Sequence, residues 1–323
     1  AGGGRRLAEQ LRPHVAVVEA VVGARRRPRG PEASEARLAF WLILPAVLGL
    51  VAVSAYPVIQ TILWSFQHYI LTDPQNVYFS GLRNFQRLVN REAFWTAFKF
   101  SILYTVLAVA GQFVVGFVLA LTAHREFRGR GLVRAAMLFP WTMPTVITAV
   151  TWRFMYNDQL GFFNGSLQHL GLPHQIIWLG TPTLATIALL IVAVWKVNSF
   201  VALVLLAGLQ SIPKDVYEAA DVDGAGPVRQ FFSITLPFLR AAIMVVLVLR
   251  TVESLQAFDI IYGLTGGGPS NATQNLPLYI YQQGFGEALN FGFGSAVAVM
   301  LFIVIFVFAI AYTRLLYREE SYA

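Results

Sequence analysis

Cysteine is absent from the chain, which excludes a disulfide framework and any thiolate metal site and leaves the redox compartment undetermined. Charge is scarce as well. Charged residues make up 13% of the sequence against 56% hydrophobic, a balance too apolar for a soluble domain. Lysine occurs only as Lys99, Lys196 and Lys214, so arginine carries the positive excess. No G-x-x-x-x-G-K-[ST] phosphate loop is present, and the chain is expected not to hydrolyse ATP. H-E-x-x-H is also missing, and His14, His68, His124, His169 and His174 share no metal-ligand spacing. No nucleophile–base set stands out, which argues against a membrane-embedded enzyme. The N-terminal stretch has neither the apolar core nor the cleavage site of a secretory signal.

What remains is apolar runs. A bilayer core needs roughly 20 apolar residues per helical span, and such runs lie at about 38–66, 94–122, 132–156, 184–208, 238–262 and 291–316. The expected fold is all-α, a polytopic membrane protein of six transmembrane helices. Pro45 and Pro57 are candidate kinks in the first run, and Pro140 and Pro144 in the third. Residues 1–37 form a basic tail with eight arginines, in which 7–22 could make a short amphipathic helix. Residues 38–316 form the spanning domain, and 317–323 a second tail.

Arginine placement orients the bundle. Arg125, Arg128, Arg130 and Arg134 follow span two; Lys214, Arg229 and Arg240 lie between spans four and five; Arg314 and Arg318 end the chain. Segments 157–182 and 263–290 have no Lys or Arg, and only Arg83, Arg87 and Arg91 run against the trend. Both termini are therefore expected in the cytoplasm. Since the basic residues sit beside apolar runs, the high pI reflects topology, and no nucleic-acid partner is expected.

The segment 211–240 is the least membrane-like part of the spanning domain. Ser211 is a candidate N-cap, Pro213 fits a first helical turn, and the helix should reach about Val222 before Gly224 and Gly226 break it. Pro227 can open a second short helix through Phe232, with Phe231 and Phe232 anchoring it to the bundle. Ala219, Ala220, Gly224 and Ala225 leave a small-residue face that another protein could approach closely. On composition alone, a solvated loop with ordinary caps fits equally well.

The order of its residues resembles the EAA loop of ABC-importer permeases. Glu218-Ala219-Ala220 is followed after three residues by Gly224, and after nine more by Ile234-x-Leu236-Pro237, with Asp223-Gly224-Ala225 at the centre. The flanks "GLRNFQRLV" (81–89), "WKVNSFVALVLLAGLQSIPKDVYEAADVDGAG" and "FDIIYGLTGGGPSNATQNLPLYIYQQGF" (258–285) are similar to the carbohydrate-uptake, maltose-type branch. The resemblance covers about 38–316. It implies a type I importer permease bundle in a bacterial or archaeal inner membrane, forming half of a sugar path. The implied partners are a second, homologous permease in a heterodimer, two cytoplasmic ATPase subunits and an extracytoplasmic sugar-binding protein. ATP and Mg would be used by the ATPase, with no cofactor bound by this chain. Glu218, Ala219, Ala220, Asp223, Gly224 and Ala225 would seat the loop on that ATPase.

Ionisable groups at membrane depth are costly and face a cavity or a partner. Lys196 and Asn198 lie in span four, and Arg250, Glu253, Ser254, Gln256 and then Asp259 in span five. One reading is a compensated cluster in which Glu253 or Asp259 neutralises Lys196 and Arg250. The other places Lys196, Asn198, Phe200, Arg250, Glu253 and Ser254 on the substrate path, the resemblance putting several at matching depths. Trp141, Trp152, Tyr156 and Trp178 are expected to anchor the helices at the interfaces. Gly266-Gly267-Gly268 lacks a following lysine and reads as a turn. Two alternatives stay open: a secondary transporter driven by an ion gradient, against which there is no inverted repeat, and an importer of glycerol-phosphate or another polyol.

Overall fold

The computed structural model describes residues 33–173, 175–286 and 288–320. Most of the basic tail, including the expected helix over 7–22, and the last three residues lie outside them.

Among the described residues, four helices are long and apolar enough to cross a membrane, and the number rises to six if each of two bent helix pairs is one span. The first is α1 (Ala33–Ser65), which runs without interruption past Pro45 and Pro57. The chain divides into two compact units, Ala1–Ile59 and Gln60–Ala323. In the first unit nearly every described apolar side chain is exposed, Trp41, Leu42 and Val53 among them. A helix that is apolar all round belongs in lipid.

The second unit opens with a short antiparallel hairpin, β1 (Gln67–His68) and β2 (Tyr78–Phe79). The helix α2 (Arg83–Val89) follows, and its buried Asn84 donates from Nδ2 to the Ser65 and Gln67 carbonyls at 3.0 and 2.8 Å. Next come α3 (Glu92–His124), α4 (Arg130–Thr142), α5 (Thr145–Met155), α6 (Phe162–His169) and α7 (Pro182–Gln210). The helices α8 (Lys214–Val222), α9 (Pro227–Gln230) and α10 (Leu236–Phe238) make the loop, with a π-helical turn Phe231–Thr235 between the last two. The chain ends with α11 (Arg240–Leu255), α12 (Asp259–Leu264), α13 (Leu276–Gly284) and α14 (Phe291–Glu320).

Glycine sets the closest approach in the bundle. The helices α3 and α7 share the most extensive packing, and a Cβ added to Gly116 would stand 2.6 Å from Val201. In a membrane, where lipid removes the hydrophobic drive between helices, such close backbone contact supplies the dispersion energy instead. The helices α5 and α12 meet in the same way, Gly263 lying over Ala149.

Two expected spans are not continuous. Spans three and five break within their lengths: α4 and α5 meet at 94° across Met143-Pro144, and α11 stops at Leu255, seven residues before its expected end at about 262. Pro144 supplies no N–H and disfavours helical geometry in the residue before it; Met143 is extended at φ −70°, ψ 135°. Ser211 closes α7 by donating to the Gly208 carbonyl at 2.8 Å, and Pro213, not Ser211, stands at the N-cap of α8.

The segments around the turn at 266–268 and after α5 are tightly tied. Gly266 and Gly267 take φ +61° and +90°, the left-handed turn for which glycine is suited. Thr273 Oγ1 donates to the Gly268 carbonyl at 2.6 Å, and Leu276 N donates to Ser101 Oγ of α3 at 2.8 Å. Trp152, Tyr156 and Trp178, expected as interface anchors, pack with Phe163 into one aromatic cluster; Tyr156 is 3% exposed and stacks on Phe163 at 4.8 Å.

Gly116→Leu is expected to lower the stability of the detergent-solubilised protein by about 1–3 kcal/mol through overpacking. Gly165→Ala, where the added carbon meets open space, should leave the melting temperature nearly unchanged.

Candidate functional site

Both helix breaks open onto one cavity of about 370 Å³. Met143, Pro144 and Thr145 line it from the first break, and Gln256, Ala257, Phe258 and Asp259 from the second. Tyr104 and Gln112 reach it from α3, Lys196 from α7, and Arg250, Glu253 and Ser254 from α11, with Trp141 of α4 at its wall.

Breaking a helix strands carbonyls that hydrocarbon cannot satisfy, so another group must. Lys196 Nζ donates to the Met143 carbonyl at 2.5 Å. One turn along α7, Ser199 Oγ donates to the Met137 carbonyl, so α7 holds α4 at two points. At the other break, Asn275 Nδ2 donates to the Ala257 carbonyl while its Oδ1 caps α13 by accepting from Leu278 N at 3.1 Å.

Arg250, like Lys196, is a buried charge, each with 7% of its surface exposed. Its Nε donates to Gln112 Oε1 at 3.0 Å, and its Nη1 pairs with Glu253 Oε2. Gln112 in turn donates from Nε2 to the Ala193 carbonyl at 3.2 Å. One amide thus links α3, α7 and α11. The Glu253 side chain is 56% exposed, which leaves it accessible to a hydroxyl donor in the cavity.

The expected compensation scheme changes in one respect. Glu253 pairs with Arg250, but Lys196 has no carboxylate partner among the described residues; its partner is the carbonyl freed at the break. Asn198 lines a separate lateral groove of about 510 Å³ with Gly111 and Val194. Phe200 stands beside Trp141, ring centroids 6.2 Å apart, and does not line the cavity itself. Gln112, Tyr104 and Trp141 were not among the expected site residues. Gln112 had a legible signal, a lone amide inside "LAVAGQFVVGF"; Trp141 had none that separated it from an interface anchor.

The loop is built as two helices around a glycine turn. Gly224 at φ +72° ends α8 and donates from its N–H to the Asp221 carbonyl at 3.1 Å. Gln230 Nε2 crosses the turn to Asp221 Oδ1 and the Ala225 carbonyl at 2.5 and 2.8 Å. Glu218, Ala219, Asp223 and Gly224 are exposed, and Ala220 and Ala225 half-buried. Phe231 packs edge-on against Phe117 at 5.7 Å, as an anchor would, whereas Phe232 is exposed.

Gln112→Leu removes the acceptor from a buried guanidinium, and leaving such a donor unpaired costs about 2–3 kcal/mol. Its melting temperature should fall clearly, and adding Arg250→Met should recover part of the loss, as a double-mutant cycle in thermal unfolding would read.

The model of the family described as "Binding-protein-dependent transport system inner membrane component" matches residues 112–319. The chain is 40% identical over 280 residues to the trehalose/maltose transport system permease protein MalF of Thermococcus litoralis, covering 87% of this chain and 94% of the relative. It is 38% identical over 283 residues to the sulfoquinovosyl glycerol transport system permease protein SmoG of Agrobacterium fabrum, covering 88% and 91%. The trehalose transport system permease protein SugA of Mycobacterium tuberculosis is 36% identical over 288 residues, with 88% and 91% covered. In fold, the chain matches one from a bacterial ABC transporter involved in the import of the acidic polysaccharide alginate, with TM-score 0.76, 24% identity and coverage of 87% and 96%. An all-helical, multi-pass bundle with this cavity and loop is the membrane-embedded permease part of such a system and not its ATPase: the chain belongs to the inner membrane components of binding-protein-dependent transport systems.

Proposed function

We propose that this chain forms half of the translocation path of an ATP-driven sugar importer. The observation that carries this reading is the cavity at the two helix breaks. Its volume of about 370 Å³ falls within the roughly 300–1,000 Å³ of small-molecule sites. Trp141 offers an aromatic face to the C–H patches of a pyranose. Glu253 accepts from hydroxyls, and Lys196 keeps two donors beyond its bond to Met143. The permease relatives named for trehalose and maltose support a disaccharide. Arg250 and Ser254 complete the polar wall; Asn198 and Phe200 act from behind or beside it.

A second, homologous permease closes the open side, giving a heterodimer. The loop between α7 and α11 docks on one of two cytoplasmic ATPase subunits, which bind ATP and Mg. Glu218 makes the charged contact, while Ala219, Ala220, Asp223, Gly224 and Ala225 let the backbone seat. Both termini lie in the cytoplasm of a bacterial or archaeal cell, and a sugar-binding protein delivers substrate from outside. ATP moves the complex because it binds better to the closed ATPase dimer, and only such differential affinity shifts a conformational equilibrium. Glycerol-phosphate or another polyol is the second reading, favoured by Lys196, a cavity cation with no carboxylate partner among the described residues.

Purification in mild detergent from the native operon tests the reading. An ATPase, a second permease and a binding protein should accompany the chain, and Glu218→Lys should cut the retained ATPase about tenfold or more, since a reversed charge at a docked contact costs several kcal/mol. A chain that purifies alone, unaffected by the substitution, would overturn the docking of this loop on an ATPase.

A further inference from the structure

The loop and the cavity are joined by a contact that docking alone leaves unused. Tyr217, directly before Glu218, packs against the cluster around Leu209 and Leu239. Its Oη lies 2.9 Å from Thr235 Oγ1, a hydrogen bond whose proton either hydroxyl can supply. Thr235 is buried and ends the π-helical turn of the loop. Its carbonyl accepts from Leu239 N at 3.0 Å, and the Leu239 carbonyl accepts from Ile243 N at 2.8 Å. Leu239 is fully buried at the 64° bend into α11 and is pressed against Gly208 of α7, where an added Cβ would stand 2.7 Å from Leu239 Cδ2. A polar path therefore runs from the neighbour of Glu218 into the first turn of the helix that carries Arg250 and Glu253. Packing does not require it, because phenylalanine would fill the same volume in this apolar cluster. A π-helical turn is itself uncommon and concentrates where function needs an irregular helix.

We propose that the Tyr217–Thr235 bond is the strut that makes α8 and α11 move together, with Tyr217 a positioning residue for energy coupling. The inference rests on the proposed docking of the loop. Tyr217, half-buried against the bundle, passes the displacement of α8 to the base of α11. Without the bond, α8 follows the ATPase while Thr235 and the cavity wall lag.

The absence of cysteine makes a substrate-independent test available. In the purified complex, Ala257→Cys places a thiol on the cavity wall, and its maleimide labelling is followed on this chain with and without a non-hydrolysable ATP analogue. The analogue should change the labelling rate in the otherwise unaltered protein. Tyr217→Phe and Thr235→Ala should each shrink that change about fivefold, the size of one net hydrogen bond. The double variant should be no worse than either single one, and Thr235→Ser should keep the response. In all of them the ATPase should copurify as before. Retained ATPase with an undiminished response in the single variants, or additive losses in the double variant, overturns the strut and leaves docking intact. Failure of the unaltered chain to retain an ATPase overturns both.

Discussion

A guanidinium held at membrane depth is the constraint around which this bundle is arranged. Desolvating Arg250 costs several kcal/mol unless its donors are met. Gln112 from α3 and Glu253 from the next turn of α11 meet two of them, at Nε and Nη1. Because the Gln112 amide is also committed to the Ala193 carbonyl, the rotation of three helices about their axes is set by one polar cluster. Around it the contacts are made by small residues: Gly111 and Gly116 of α3 against Val194 and Val201 of α7. Polar specification and close backbone packing thus act on the same pair of helices.

The cavity exists because two spans are broken beside that cluster. Irregular backbone at membrane depth is tolerated only where protein or an aqueous space satisfies it, and here both conditions are visible. Lys196 and Asn275 take one freed carbonyl each, and residues of both breaks line the cavity. Asn275 also caps α13, and Leu276 beside it is tied to Ser101 of α3. The segment after α12 therefore fixes the second break, whereas Lys196 of α7 fixes the first. A charged donor serves at the first break where a neutral one serves at the other, which leaves a cation in the cavity wall.

On the other side, the loop is stiffened independently of the bundle and attached to it at few points. Gln230 clamps the glycine turn, leaving Glu218 and the small residues exposed. Attachment comes through Phe231 on Phe117 and through Tyr217 and Ile234, which pack on the cluster around Leu209 and Leu239. An element rigid in itself and joined at defined points moves as a unit, as is needed to carry a displacement between distant sites.

Much of this was legible in the chain itself. Apolar runs of the right length determine spans, since lipid demands internally satisfied backbone, and the starts and ends of α1, α3, α7 and α14 fall within a few residues of the runs. The Glu218–Pro237 pattern marked the segment between α7 and α11 as unlike a membrane span, and Gly224 marked the turn that ends α8. Pro144 announced a bend in span three. The sequence could not show where α11 would stop, because "TVESLQAFDII" has no proline or glycine to mark the end; that break is stabilised by Asn275, eighteen residues beyond Ala257. Nor could it show that Lys196 serves a carbonyl, that Gln112 serves Arg250, or that Trp141 faces the cavity. Each depends on which side chain meets which across separate helices, and helix-to-helix distance and rotation are decided only when the bundle packs.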